Sequence, residues 1–292
     1  MRSLIRSESY SLPSELSEHV TAVFNTVQFP ELRRKKRSVI SKAKQAVDSV
    51  LSDTKSQSDI ISGYVTPELL YQYYDISNPV GSADVSQAVF ATIDNALNPD
   101  DLTYFQKTFN LPVEAISEDI GGHVSTQACD TAYYTDCYES NLDVQYIMAV
   151  SQNTPTTYYY YDGNSWSDWI TTVADTEDPA NVYSISYGSY EITVASSEKD
   201  SFQTEAIKLG VMGTTLVAAS GDDGVIYKSD DGYYCSYFAL FPASCPYVTA
   251  VGGTSGPESS NTEIACTSSY NDENNYVWGY IRRWVLKLLQ RS

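Results

Sequence analysis

From Gly63 onward the chain alternates between short runs of apolar and β-branched residues and longer stretches in which apolar residues recur every three or four positions. Strands buried on both faces produce the first pattern, and helices that bury one side produce the second. VTPELLYQYYDI (65–76) reads as a helix with Pro67 in its first turn and Leu69, Leu70 and Tyr73 as its apolar positions. VSQAVFATID (85–94) reads as a short strand, and NPDDLTYFQKTF (98–109) as a helix capped by Asn98 with Pro99 behind it. CYESNLDVQYIMAV (137–150) has helical spacing from Asn141, and TTYYYYD (156–162) favours a strand. WSDWITTVADTED (166–178) is helical, NVYSISYGS (181–189) is strand-like, and FQTEAIKLGVMG (202–213) is an amphipathic helix closed by Gly210 or Gly213. TTLVAASGDDG (214–224) and CPYVTAVGGT (245–254) supply two further strands. This alternation predicts an α/β fold in which a parallel sheet carries helices on both faces.

The two ends differ in texture. Residues 1–62 are polar and Ser-rich, and RRKKR at 33–37 reads either as a solvated or localisation patch or as a place for a processing protease to cut. Beyond residue 254 the text SSNTEIACTSSYNDENN is loop-like. VWGYIRRWVLKLLQRS (277–292) then turns basic and amphipathic. One reading of this tail is a surface or membrane-leaning helix, and the other, which we prefer, is a tail foreign to the domain. The expected divisions are therefore 1–62, 63–268 and 269–292.

With 292 residues and 42% hydrophobic composition, the chain is long enough for one full α/β core with flanking pieces. Its net charge of −19 is unevenly spread: residues 46–281 hold 33 acids against 5 bases. Nucleic acid is not an expected partner, because phosphate binding needs clustered Lys and Arg. An acidic working environment would protonate many of these carboxylates and relieve their self-repulsion. The five cysteines form no C-x-x-C and have only His19 and His123 to join them, which speaks against a zinc site. Cys129 and Cys137 could close a short loop, and two of Cys235, Cys245 and Cys266 could pair, as suits an oxidising compartment. The first residues, MRSLIRSESYSLPSE, show no apolar signal-peptide core.

Two places carry candidate chemistry. Glu139 and Asp143 stand four apart, so on a helix they point the same way as a like-charged pair. Burial would raise one carboxyl until the pair shares a proton, giving a general acid or base for acidic conditions, whereas exposure would leave a solvated face. SGDDG (220–224) follows an expected parallel strand, at the edge where α/β folds bind their ligands. Gly221 and Gly224 would allow a tight turn aiming Asp222 or Asp223 into a crevice, where a protonated Asp can donate to an oxyanion; the alternative is an ordinary Asp-rich turn.

ESNLDVQYIM (139–148), SISYG (184–188), SGDDG (220–224) and FPASCPYVTAVGGT (241–254) together resemble the sedolisin (serine-carboxyl peptidase) family, which includes the tripeptidyl peptidases. VTPELLYQYYDI resembles the start of the mature enzyme, and LSEHVTAVFNTVQFP (16–30) the end of an inhibitory pro-segment. The resemblance runs from about residue 16 to 268, so 1–62 is expected to be a pro-segment remnant with its activation linker. It implies a subtilisin-like fold, peptide or protein substrates, inhibition by the chain's own pro-segment, a monomer, and an extracellular or acidic vacuolar or lysosomal setting. By match, Glu139 is the general base on a serine, Asp143 orients it and holds the shared proton, and Asp222 donates into the oxyanion hole. Neither His19 nor His123 lies in a motif that marks a base.

The family's nucleophile turn, S-G-T-S-x-S, does not occur in these 292 residues, and the calcium site that follows that turn in the family is not found either. Ser255 lies in Gly253-Thr254-Ser255, a superficial likeness that belongs to the strand-closing VGGT and is followed by Pro257 instead of an apolar helical run. The chain is thus expected to carry no cofactor of its own and to be inactive as written. Two alternatives are a non-catalytic peptide-binding module and, ranked lower, a glycosidase using Glu139 and Asp143, since retaining enzymes hold their carboxyls about 5–5.5 Å apart.

Overall fold

The computed structural model describes residues 64–129, 136–222, 226–229, 232–235, 238–272 and 275–280. The readings of residues 1–62, of His19, of Asp223 and Gly224, and of the tail beyond residue 280 lie outside these residues. Five helices occur among them: α1 Pro67–Tyr73, α2 Pro99–Thr108, α3 Tyr138–Val150, α4 Trp166–Ala174 and α5 Ser196–Met212. Six strands, β1 Gln87–Ala91, β2 Glu118–Ile120, β3 Thr156–Tyr160, β4 Val182–Ile185, β6 Thr215–Ala219 and β10 Thr249–Val251, form one sheet. Its order is β2-β3-β1-β4-β6-β10, with every pair parallel. Short antiparallel pairs surround it: β5 Ser189–Tyr190 with β9 Leu240–Phe241, β7 Ile226–Ser229 with β8 Gly232–Cys235, and β11 Thr254–Ser255 with β12 Ile264–Ala265.

Strand β1 is central, and all five of its residues are buried. Its alternate side chains feed two cores. Ala88 and Phe90 join Trp166, Trp169 and Ile170 of α4 and Phe202, Ala206 and Leu209 of α5. Val89 and Ala91 join Leu102 of α2, Val144 and Met148 of α3, and Tyr158 and Tyr160 of β3. An unbroken apolar run is what a strand covered on both faces requires.

The helix ends follow from local chemistry. Thr66 and Asn98 cap α1 and α2 through their side-chain oxygens, each helix beginning with a proline. Gly213 ends α5 in the left-handed region at φ 94°, which costs glycine nothing. α5 begins six residues earlier than its apolar periodicity suggests, because its first turns are written in Ser, Glu, Lys and Asp. β2 is absent from the hydrophobic pattern for a related reason: it is an edge strand of sequence Glu-Asp-Ile, with both acids exposed. The strand expected over 181–189 stops at Ile185, and Ser189–Tyr190 leaves to pair with Leu240–Phe241. A helix over the start of the basic tail is not formed. β14 Asn275–Tyr280 is instead an extended strand, antiparallel to β13 Thr267–Asp272.

Two features give the α4–α5 side its character. Trp169, fully buried, makes edge contacts with Phe90, Tyr159, Trp166 and Tyr183. Glu198, only 4% exposed, accepts the Trp166 N–H at 2.7 Å and so caps α4 from α5, beside the Ser165 hydroxyl that accepts from Asp168 N–H. Burial pushes the Glu198 carboxyl above its usual value, while the backbone and hydroxyl donors around it pull the other way.

Trp169→Ala should cost about 3–5 kcal/mol in chemical denaturation, the range for emptying a large buried aromatic site. Because Glu198 is raised in the fold, its contribution to stability is fully present below the ordinary glutamate value of 4.5 and is lost as the pH climbs through the raised value. Thermal melts against pH should therefore fall less steeply for Glu198→Gln than for the parent above about pH 4.5. Parallel curves would refute this.

Candidate active site

α3 carries both acids of the expected pair, and its packing sets where they point. Ser140, Asn141, Val144 and Met148 are buried against the sheet and α2, while Tyr138 and Leu142 face outward. At about 100° per residue this leaves Glu139 and Asp143 together on one flank, half-buried, between the core stripe and open solvent. α3 runs antiparallel to the strands. Its first turn meets the C-terminal end of the sheet, where the Tyr158 hydroxyl donates to Asn95 O at 2.9 Å and lies 2.6 Å from Ser140 Oγ. Its last turn meets the opposite end, where the Ser151 hydroxyl donates to Gln87 Oε1 at 2.8 Å. Glu139 therefore stands at the edge where parallel sheets place their sites. Burial raises the Tyr158 phenol above its ordinary value; the Ser140 hydroxyl pulls it back, and the negative charges of Asp119 and Asp143 add to the rise.

Asp222 lies past the end of β6 on the same edge, two strands from β1, which is about 10 Å of sheet width. Its turn is set by Ser220 N–H, which donates to Val251 O at 2.9 Å, and by Gly221 at φ 103°. A side chain at Gly221 would be strained by its left-handed φ, and its Cβ, 2.4 Å from Leu240 Cδ1, would also have to displace the tip of Leu240. Asp222 itself is exposed.

The remaining sequence candidates lie elsewhere. Ser255 sits in β11, paired with Ile264, and leads into Gly256 at φ 123° and the single 3-10 turn Pro257–Ser259. His123 stacks on Tyr160 with ring centres 3.3 Å apart, and its backbone N–H donates to Asp119 Oδ1. Cys129 and Cys137 form a disulfide. The second pairing does not form: Cys245 and Cys266 are both free thiols, Cys245 in a buried core position.

Sequence reasoning missed the polar scaffold behind α3. Asn98 N–H donates to Asn141 Oδ1 at 2.9 Å, and Asn141 Nδ2 donates to Asp101 Oδ2 at 2.9 Å. Asn98 Nδ2 in turn reaches Ala128 O at 2.9 Å. The signal was present in Ser140-Asn141, two indifferent helix formers placed between the acids. A further sign of a shaped edge is the pair Ile93 and Asp94, consecutive residues at φ 56° and 53° just past β1; a β-branched residue rarely adopts that region. Among the described residues, Asp101, Cys129 and Cys137 are the one group with metal-ligand proximity, and the disulfide consumes both sulfurs.

Comparison with known proteins gives consistent relatives. The chain is 29% identical over 269 residues to physarolisin of Physarum polycephalum, covering 86% of this chain and 42% of that one. It is 30% identical over 261 residues to tripeptidyl-peptidase 1 of Rattus norvegicus, covering 86% of this chain and 43% of that one. The chain thus spans about two fifths of the length of these relatives. Among solved structures, the fold superposes on Pseudomonas sedolisin, a serine-carboxyl proteinase, with a TM-score of 0.55 at 20% identity, over 75% of this chain and 62% of that one. No family model matches the chain.

Tyr158→Phe should cost about 1–3 kcal/mol in denaturant unfolding, because the buried Asn95 carbonyl and Ser140 hydroxyl lose their shared partner. A change within error would show that the pair does not hold α3 to the sheet.

Proposed function

Since the chain belongs to the sedolisin family of serine-carboxyl peptidases, we propose that it supplies the carboxyl-bearing part of a site that hydrolyses peptide bonds at acidic pH. The observation that carries this reading is the placement of Glu139 and Asp143 on one flank of α3, its first turn at the C-terminal edge of a parallel sheet. Glu139 takes the proton of a serine hydroxyl as that hydroxyl attacks the peptide carbonyl, and later returns it to the leaving amine. Asp143, one turn on, orients Glu139 and holds the proton the pair shares. Asp222, protonated in acid, donates to the oxyanion as it forms. Such a division of labour needs no imidazole, in keeping with a chain of two histidines.

The nucleophile is not assigned to Ser255: a nucleophile gains from a helix N-terminus behind it, and Ser255 sits on a paired strand. These 292 residues by themselves accordingly turn over no peptide in this reading. Calcium is likewise assigned to no residue here. An acidic extracellular, vacuolar or lysosomal compartment suits both the chemistry and the disulfide.

The test is peptide hydrolysis by the native polypeptide that carries this region, followed from about pH 3 to 7. Activity should be confined to the acidic side, and Glu139→Gln or Asp143→Asn should each lower kcat by at least about 10²–10³-fold. Cleavage that survives both substitutions would overturn the assignment, and cleavage by the 292-residue chain alone would overturn its inactivity.

A further inference from the structure

The first turn of α3 holds Glu139; Ser140 ties it to Tyr158 of the sheet, but its N-terminal end has no side-chain cap from the capping residue. Its N-cap is Cys137, whose side chain accepts no backbone N–H. Helices without a side-chain cap fray from this end, since their first amides lack partners within the helix. Asp136 Oδ1 accepts one of these amides, from Tyr138, at 3.1 Å. Fraying would swing Glu139 away from Asp143, because only helical winding keeps residues four apart side by side.

We propose that the Cys129–Cys137 disulfide stands in for the missing cap and, with Asp101 and Asn141, forms a clamp that positions the carboxylate pair, making the site dependent on oxidation. Three attachments converge on this turn, two of them through Asn141. The bridge fastens the capping residue itself, with its Cα 5.1 Å from that of Cys129. Asp101 Oδ2, on the first turn of α2, accepts from Asn141 Nδ2 at 2.9 Å and lies 3.3 Å from Cys129 Sγ. Asn141 Oδ1 accepts from Asn98 N–H, the capping residue of α2. Asn141 lies between the two acids and is buried while they are not, so fixing it fixes the rotation of the helix about its axis. Asp101, Asn141 and the two cysteines are positioning residues in this account, and none of them is asked to touch substrate.

Opening the clamp is a two-electron step. A dithiol attacks one sulfur as its thiolate, the other sulfur leaves as a thiolate and is protonated, and closure of the reagent to a cyclic disulfide frees the second cysteine. Cys129 and Cys137 each end as thiols, and the dithiol ends oxidised.

The assignment rests on Glu139 and Asp143 being the working pair, and the following experiment separates the two ideas. The folded chain is treated with dithiothreitol until mass spectrometry shows both thiols free, and a Cys129→Ser/Cys137→Ser variant is prepared alongside. Amide hydrogen exchange at 138–142 should accelerate about five- to tenfold while 144–150 holds its rate. The Glu139 and Asp143 carboxyl carbons, followed by NMR titration, should pass from two interdependent steps to two separate ones. Unchanged exchange and titration with both thiols free would overturn the proposal. So would a lower melting temperature with an unchanged titration, which would mark the bridge as a stabiliser only. If reduction separates the titrations while Glu139→Gln leaves cleavage by the native polypeptide intact, the clamp stands and the catalytic reading falls.

Discussion

Strand β1 meets water on neither face, and the remaining architecture answers to that condition. A strand with five buried residues needs a helical layer on each side, and the alternation of Ala88 and Phe90 with Val89 and Ala91 assigns each layer its own core. The α4–α5 layer is an aromatic one, built around Trp166, Trp169, Phe202 and Phe241, in which edge-to-face contacts supply direction as well as area. The α2–α3 layer is smaller and more polar. Its helices are joined by carboxamides as well as by apolar contact, so α3 has one rotational setting against the sheet.

That setting makes a core helix a bearer of chemistry. A helix buried all round could not hold two carboxylates, and one free of the core could not aim them. α3 does neither, because Ser140 and Asn141 place polar anchors inside the buried stripe and leave the next flank to Glu139 and Asp143. The same economy appears at Gly221, where close approach of Leu240 and a left-handed turn bring Asp222 to the sheet edge without a side chain intervening.

Much of this was legible in the residues. The helices at Pro67, Pro99 and Trp166 and the strands at Gln87, Thr156 and Thr215 follow from capping residues and apolar runs, since the local chemistry and the tertiary environment agree there. β2 was invisible because an edge strand needs no apolar pattern. β14 was not anticipated because Val277, Trp278 and Tyr280 suit a strand as well as the amphipathic helix that was one reading of this stretch, and only the partner strand decides. The Ser140-Asn141 pair marked a polar anchor on α3, but its partners Asn98 and Asp101 could not be foreseen. They stand 43 and 40 residues from Asn141 along the chain, and nothing local marks them as its partners.

The two borders of the sheet differ in what they offer a passing chain. At one end β2 presents Glu118 and Asp119 to solvent over three residues, a short and doubly charged margin that repels an added strand. At the other end β10, also three residues long, carries Thr249, Ala250 and a half-exposed Val251 without any charge. Among the described residues the two borders therefore differ in charge: a strand brought up to β2 meets like charges, and one brought up to β10 meets none.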